Sequence, residues 1–379
     1  MSRAPRILIS AGEASGDRLG AGLAVALRAL RPDVELVGMG GERMAAAGVR
    51  LVARSSDVAV VGFTEVLARL PAILRARRAI AGALETERPD LFVPVDFPDF
   101  HLRIVPRAAR AGVPVVYFVS PQIWAWRRGR LRAIRRHVRR MLVLFPFETR
   151  FYEAAGVPVT FVGHPAVETA ADGVSPDELR RRAGLAAERE TIALLPGSRP
   201  SEVARLLPVL LGAARHLAAR RPSLQFLIPI APELDRTAIA EAIARSGVSS
   251  THAHVGDFPR ILTTCVAGAV ASGTASLEAA LLGLPMVVVY RMAPVSYAIG
   301  RALVRVEHVA LPNLIAGRRV VPELIQGECN PESIASAIVT YLDDPGAVER
   351  ARAGLREVRE RLGPPGAFAR AAEAVLDET

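Results

Sequence analysis

The chain has 379 residues, too many for one ordinary core, so two domains of roughly 150–200 residues are expected. Its net charge of +10 rests entirely on arginine, with 48 Arg and no Lys, a bias that reflects base composition more than nucleic-acid binding; no nucleic-acid partner is expected. Two isolated cysteines, Cys265 and Cys329, supply neither a disulfide framework nor a metal-ligand spacing, and no charged-then-apolar leader opens the chain, so a reduced, cytoplasmic protein is expected.

The first predicted strand, Arg6–Ala11, runs into the polar loop Gly12-Glu13-Ala14-Ser15-Gly16-Asp17, and an apolar-periodic helix follows from Leu19 to Leu30. A buried strand feeding a helix through a tight turn opens a doubly wound α/β domain, and its loop lies where such sheets bind ligands. Gly12 and Gly16 lack the G-x-G-x-x-G spacing of a dinucleotide site. Further strands are expected at Glu35–Met39, Leu91–Val95, Val115–Val119, Met141–Leu144 and Thr160–Val162, with helices at Thr64–Glu87 and Arg127–Val138 between them. Gly163-His164-Pro165 ends this series, and a linker is expected over Val167–Pro176, dividing the chain into domains 1–168 and 169–379.

The pattern then restarts. Strands are expected at Thr191–Leu195, Gln225–Ile228, His252–Val255, Ala267–Ala271 and Met286–Val289, and helices at Ser201–Arg220, Leu234–Ser246, Pro259–Thr263 and Ser276–Leu282. The tail from Pro331 to Leu376 reads as helical with a break at Gly363-Pro364-Pro365-Gly366. Strands separated by helices imply parallel sheets, and two such domains suggest an active site in a cleft between them. The low-charge stretch Ile261–Tyr290 is interrupted by Ser272-Gly273-Thr274-Ala275-Ser276, Glu278 and Gly283-Leu284-Pro285, so it is not a membrane span of about 20 apolar residues.

Four constellations stand at strand ends or beside them. Asp96 closes Leu91–Val95 and is placed to take a proton from an attacking hydroxyl, whereas Asp99 is placed to cap the helix that begins near His101. Pro196-Gly197-Ser198-Arg199, with Glu202 in the next helix, suits a diphosphate, or else is a Ser cap beside a surface Arg. Ser272-Gly273-Thr274-Ala275-Ser276 with Glu278 suits phosphate and ribose, or else is a capping arrangement. Arg127–Arg140 sets Leu131, Ile134 and Val138 on one helical face and arginines around the rest, next to Trp124 and Trp126. Such a helix suits an anionic membrane surface or is a solvated face; the greasy run Val61–Pro71 is a second candidate contact surface.

These residues resemble the lipid-A-disaccharide synthase family. The resemblance rests on Ala11–Asp17, Asp96–Phe100, Val119-Ser120-Pro121-Gln122-Ile123-Trp124-Ala125-Trp126-Arg127, Phe161–Pro165, Leu195–Arg199 with Glu202, Ala271–Ala275, Tyr290-Arg291-Met292 and Leu311–Gly317. It implies a GT-B glycosyltransferase, with two Rossmann-like parallel-sheet domains facing a cleft and C-terminal helices. The implied reaction moves 2,3-diacylglucosamine from UDP-2,3-diacylglucosamine to the 6-hydroxyl of 2,3-diacylglucosamine 1-phosphate, with inversion and without a metal or other cofactor. The resemblance further implies Asp96 as base and Glu13, Ser15, Asp17 and Trp124 on the acceptor side, a cap on its own helix being the other reading of Asp17. Gly197, Ser198, Arg199 and Ser272, Gly273, Thr274, Ala275 and Ser276 would hold the UDP leaving group, and Glu278 and Asn313 its ribose or uracil. It implies peripheral contact with the cytoplasmic face of an anionic inner membrane, and a homodimer through the C-terminal region, where residues 331–379 pack on the first domain or exchange between subunits. Another GT-B enzyme of UDP-sugars, an undecaprenyl-linked transferase or a UDP-sugar epimerase, is the alternative.

Overall fold

A computed structural model describes residues 3–58, 63–121, 129–169, 173–232, 234–293, 297 and 307–379, of which 63–69 and 169 by backbone alone. The chain divides into two compact units, Met1–Pro165 with Pro364–Thr379, and Ala166–Gly363.

The first unit is a parallel sheet of β1 (Arg6–Ala11), β2 (Glu35–Gly40), β3 (Arg50–Arg54), β4 (Leu91–Val95), β5 (Val116–Phe118), β6 (Arg140–Val143) and β7 (Val159–Phe161), in the order β3-β2-β1-β4-β5-β6-β7. Its helices are α1 (Ala14–Leu30), α2 (Glu42–Ala46), α3 (Phe63–Thr86), α4 (Pro98–His101), α5 (Val105–Arg110), α6 (Arg130–His137) and α7 (Pro146–Ala154). Central strands of a parallel sheet are covered on both faces, which is why Ile7-Leu8-Ile9 and Leu91-Phe92-Val93 are continuous apolar runs with no exposure. The strand sequence analysis missed is β3, an edge strand that begins and ends on exposed Arg50 and Arg54 and so lacks that signature.

The second unit opens with α8 (Ala166–Thr169) and α9 (Pro176–Arg182). Its parallel sheet comprises β8 (Thr191–Leu195), β9 (Gln225–Ile230), β10 (Thr251–Val255), β11 (Ala267–Ala271), β12 (Met286–Tyr290) and β13 (Glu323–Ile325), in the order β10-β9-β8-β11-β12-β13. Around it lie α10 (Pro200–Arg220), α11 (Arg236–Ser246), α12 (Thr274–Leu281), α13 (Leu311–Ala316), α14 (Pro331–Asp343) and α15 (Pro345–Arg361). Pro259–Thr263, expected as a helix, is a short 3₁₀ turn at Arg260–Thr264. The second missed strand, β13, is again a short, half-buried edge.

The C-terminal helix α16 (Ala367–Leu376) returns to the first unit. Ala371, Ala372 and Val375 enter the core beside Leu23, Ala24 and Leu27 of α1, and the Phe368 ring fills the space that a Cβ on Gly22 would need. Glu378, nearly buried, then pairs with Arg139 at 2.5 Å and Arg140 at 2.7 Å. These two arginines therefore do not belong to a free basic helix: α6 ends at His137, and Arg140 opens β6. The apolar face of α6 is also committed, since Ile134 and Val138 lie in the core with Leu131 packed against it. Only an arginine face remains outward, with Arg132, Arg135 and Arg136 exposed. Among the described residues no helix is long and apolar enough to cross a membrane.

Candidate active site

In the first unit β1 and β4 are neighbours, with Ala11 opposite Val95, so the loops after them meet at the carboxyl edge of the sheet. Glu13 and Ser15 are exposed there. Asp96 leaves β4 in a left-handed conformation (φ 47°), and Phe97 continues in it (φ 50°). Two successive non-glycine residues in this region cost about 1–3 kcal/mol each, an expense the surrounding contacts must offset. The Phe97 ring lies against Gly12, where any Cβ would collide with it, so Gly12 serves a close approach as well as a turn.

The backbone of Asp96 is pinned from several sides. Its N–H donates to Phe118 O at 3.0 Å, while its carbonyl accepts from the Tyr117 hydroxyl and from His101 Nδ1, both at 2.6 Å. A carbonyl can only accept, so His101 carries its proton on Nδ1 and its Nε2 accepts from Ser10 Oγ at 2.9 Å. Burial holds the His101 imidazole down at about 4, which keeps it neutral. Burial also raises the Asp96 carboxyl to about 6; the Phe97 N–H opposes that rise and the charge of Glu13 adds to it. Sequence reasoning assigned no role to Ser10, His101 or Tyr117. Their only sequence signal is a polar side chain inside an apolar element.

Two carboxylates are placed differently from expectation. Asp99 does not cap the helix near His101; Phe97 occupies the N-cap position of α4, and Asp99 pairs with Arg130. Asp17 neither caps its own helix nor offers a free carboxylate to an acceptor. It lies almost buried and accepts from Gly41 N (2.6 Å), Arg43 N (3.1 Å) and Met44 N (3.1 Å), supplying the cap that Gly41, lacking a side chain, cannot give α2. Asp17→Ala is expected to lower stability by about 2–3 kcal/mol, read from urea midpoints, while the KM for acceptor stays unchanged. Trp124, with residues 122–128, lies outside the described residues. His164, of the Gly163-His164-Pro165 turn, is buried, its ring centroid 5.3 Å from that of Phe145 and tilted 35° to it, and held down at about 4 by burial and by Arg18.

In the second unit the neighbouring strands β8 and β11 bring Gly197-Ser198-Arg199 and Ser272-Gly273 to one sheet edge. The cap of α10 is not Ser198. Glu202 reaches back, its Oε2 accepting from Ser198 N and Arg199 N at 3.3 Å each, and its Oε1 pairing with Arg199 Nη1 at 3.3 Å. Gly197 sits at φ 110°, and a side chain there would strike the Glu202 carboxylate. Ser198 and Arg199 remain exposed.

The second loop divides its tasks. Ser272 Oγ donates to Val309 O at 3.0 Å, and Ser276 is fully buried with its hydroxyl and its N–H both on Gly273 O. Ser276 therefore closes the turn, whereas Thr274 and Ala275 begin α12, where backbone N–H groups have no partner within the helix. Glu278 lies nearly buried on α12. Asn313 has no exposure, and its amide is saturated: Nδ2 donates to Val321 O (2.9 Å) and Glu323 Oε1 (2.7 Å), while Oδ1 accepts from Val320 N (2.8 Å) and Val321 N (3.0 Å). It braces the approach to β13 and has no valence left for ribose or uracil.

Beyond β12 and β13 a cavity of about 420 Å³ is lined by Arg205, Arg291, Met292, Ala293, Gln326 and Gly327. The Gln326 amide clamps Met292, accepting from its N–H at 2.7 Å and donating to its carbonyl at 3.2 Å. Tyr290, at the end of β12, has its phenol raised by burial and lies in the fields of Glu202, Arg199 and Arg205. The Tyr290-Arg291-Met292 motif was the sequence signal for this region, although it carried no assigned role.

Two parallel α/β units with ligand-type loops at their carboxyl edges have the GT-B-type architecture. Solved structures agree on the fold. The chain is similar to the S. aureus MnaA–UDP co-structure (TM-score 0.67, 12% identity, 98% of this chain and 95% of that one). It is similar as well to Acinetobacter baumannii MurG (TM-score 0.58, 14% identity, 99% of each chain).

Sequence comparison goes further than fold. The model of the lipid-A-disaccharide synthetase family matches residues 7–372. The lipid-A-disaccharide synthase of Myxococcus xanthus (strain DK1622) is 49% identical over 378 residues, covering 100% of this chain and 98% of the relative. That of Geobacter metallireducens is 46% identical over 379 residues, covering 100% and 98%. The chain belongs to the lipid-A-disaccharide synthase family. It is a glycosyltransferase that transfers 2,3-diacylglucosamine from UDP-2,3-diacylglucosamine to the 6-hydroxyl of 2,3-diacylglucosamine 1-phosphate, releasing UDP. This separates it from the UDP-N-acetylglucosamine 2-epimerases of solved structure, with which it shares the fold.

Proposed function

We propose that Asp96 is the general base of this transfer. What carries the reading is the place of Asp96, turned out of β4 at its carboxyl end beside the loop of the exposed Glu13 and Ser15, where burial raises its carboxyl to about 6. A base titrating there is ionised at neutral pH yet basic enough to take the proton of the acceptor 6-hydroxyl as oxygen attacks the anomeric carbon. The donor is an α-linked diphosphate and the product linkage is β, so one in-line displacement with inversion suffices. Glu13, Ser15 and Trp124 line the acceptor side in this reading. Gly197, Ser198, Arg199, Ser272, Gly273, Thr274 and Ala275 receive the UDP leaving group, the exposed Arg199 guanidinium and the first N–H groups of α12 meeting its developing charge. Glu278 accepts from the ribose hydroxyls.

The enzyme works, in the same reading, on the cytoplasmic face of an anionic inner membrane and as a homodimer through its C-terminal region. The membrane contact is electrostatic, through Arg132, Arg135 and Arg136 on the outward face of α6, because the apolar face of that helix is buried. Replacing all three by Ala is expected to weaken sedimentation with anionic vesicles by about 3 kcal/mol, at roughly 1 kcal/mol per residue, and to leave neutral vesicles unaffected. Equal binding by the triple variant would remove these residues from the contact.

The central test is product analysis with both acylated substrates and excess chelator, comparing wild type with Asp96→Asn. Disaccharide formed in chelator and lost in the variant supports the base and the metal-free leaving-group site. Disaccharide formed at the same rate by the variant assigns the base elsewhere.

A further inference from the structure

We infer that Tyr117, His101 and Ser10 are positioning residues of the transfer site: they lock the Asp96 carbonyl, and so fix the left-handed turn that sets where its carboxylate stands. The inference rests on the reading of Asp96 as base.

Two elements converge on one backbone oxygen, and a third braces one of them. Tyr117 comes from β5 and His101 from α4, and each places a donor 2.6 Å from the Asp96 carbonyl; Ser10 of β1 holds the far side of the imidazole. All three side chains are without exposure. Burying polar side chains is costly unless their bonds are made, and a strand exit with no chemical task is usually met by a glycine instead. Here the chain keeps an aspartate and a phenylalanine in the left-handed region and spends three buried polar groups to hold them. The next strand leaves in the same way, with Val119 at φ 70° just beyond β5. Strain of this kind at adjacent strand exits persists only where the surroundings over-determine it, and it gathers at sites that need a fixed geometry.

Without the two donors the turn would relax toward an extended backbone and carry the carboxylate with it. The groups that bear on that carboxylate are Glu13 from the β1–α1 loop, the Phe97 N–H, and Tyr117; the Asp99–Arg130 pair acts on Tyr117 in turn. Of these only Tyr117 also grips the backbone; with its hydroxyl and the His101 donor gone, neither Glu13 nor the Phe97 N–H would hold the Asp96 carbonyl in place.

Tyr117→Phe removes a single oxygen and tests this directly. Together with His101→Leu it is expected to lower kcat about 10- to 100-fold with KM for both substrates within about twofold. The acid limb of the pH profile should move from near 6 toward the ordinary carboxylate range of about 4, as the released carboxylate reaches water. His101→Asn, which keeps a donor close to the Nδ1 position, should recover most of kcat. If His101→Leu does not fold, Tyr117→Phe alone decides. Wild-type kcat and an unmoved acid limb in Tyr117→Phe would overturn the inference. So would a loss of kcat with an unmoved limb. Asp96→Asn run in parallel separates the two levels: transfer surviving in that variant defeats the base assignment itself, whereas an inactive Asp96→Asn beside a normal Tyr117→Phe defeats only the positioning role.

Discussion

Asp96→Asn protein is expected to bind UDP as the wild type does, to form disaccharide about 10²–10⁴-fold more slowly, and to be the more stable of the two above pH 6. Loss of activity follows from loss of the base. The gain in stability follows from the direction of the shift. Burial raises the folded-state carboxyl from 3.8 to about 6, so between these values the native protein binds a proton that the unfolded chain does not. The protonated Asp96 therefore contributes stability that is complete below about pH 4 and lost as pH rises through about 6. By pH 7 the buried carboxylate costs up to about 3 kcal/mol, which the neutral amide of similar shape avoids. Urea unfolding of both proteins at pH 3.5, pH 5 and pH 8 checks this: the difference should be near zero at the lowest pH, about half developed at pH 5, and fully in favour of the variant at pH 8. The same titration shapes catalysis in the opposite sense, with wild-type kcat/KM rising through about pH 6 to a plateau. A residue serving stability alone would move activity and stability in the same direction. Here they part.

Asn313→Ala is expected to remove about 3–5 kcal/mol of stability, more than Asp17→Ala. The amide is buried, and all four of its hydrogen-bonding positions are used; its loss leaves Val320 N, Val321 N and Val321 O without partners and deprives Glu323 of a donor. Glu323 in turn accepts from Val309 N at 3.0 Å and Ala310 N at 3.2 Å, and Val309 O accepts from Ser272. The brace thus runs from the approach to β13 back to the loop after β11. Chemical denaturation should show the loss in the midpoint. In protein kept folded at low temperature, UDP affinity should change by no more than a few-fold. A normal midpoint with a large fall in UDP affinity would make Asn313 a nucleotide contact after all.

The contrast between Asp96 and Asn313 marks where sequence reading works. Parallel strands covered on both faces must be apolar throughout, so Ile7–Ile9, Leu91–Val93 and Ala267–Ala271 are visible as runs with no knowledge of their neighbours. The loops that follow them take their importance from chain order alone, because ligands meet open α/β sheets at the carboxyl ends of strands. Asp96, Gly197 and Ser272 were legible as site candidates for this reason. The edge strands β3 and β13 were not, since one covered face and a few residues leave no comparable run.

Local sequence determined the two-sheet α/β architecture and which loops stand at the sheet edges. What only the tertiary structure decided was which polar groups in those loops were already spoken for. Asp17 caps a helix 24 residues away, Ser10 meets His101 across 91 residues, and Arg140 finds Glu378 across 238. A hydrogen bond is specified by position in space within a few tenths of an ångström, and nothing in the residues adjoining either partner encodes that meeting. Hydrophobic periodicity is local because burial acts on each residue where it stands; the satisfaction of a buried carboxylate or amide is not, because its partner is delivered by the fold.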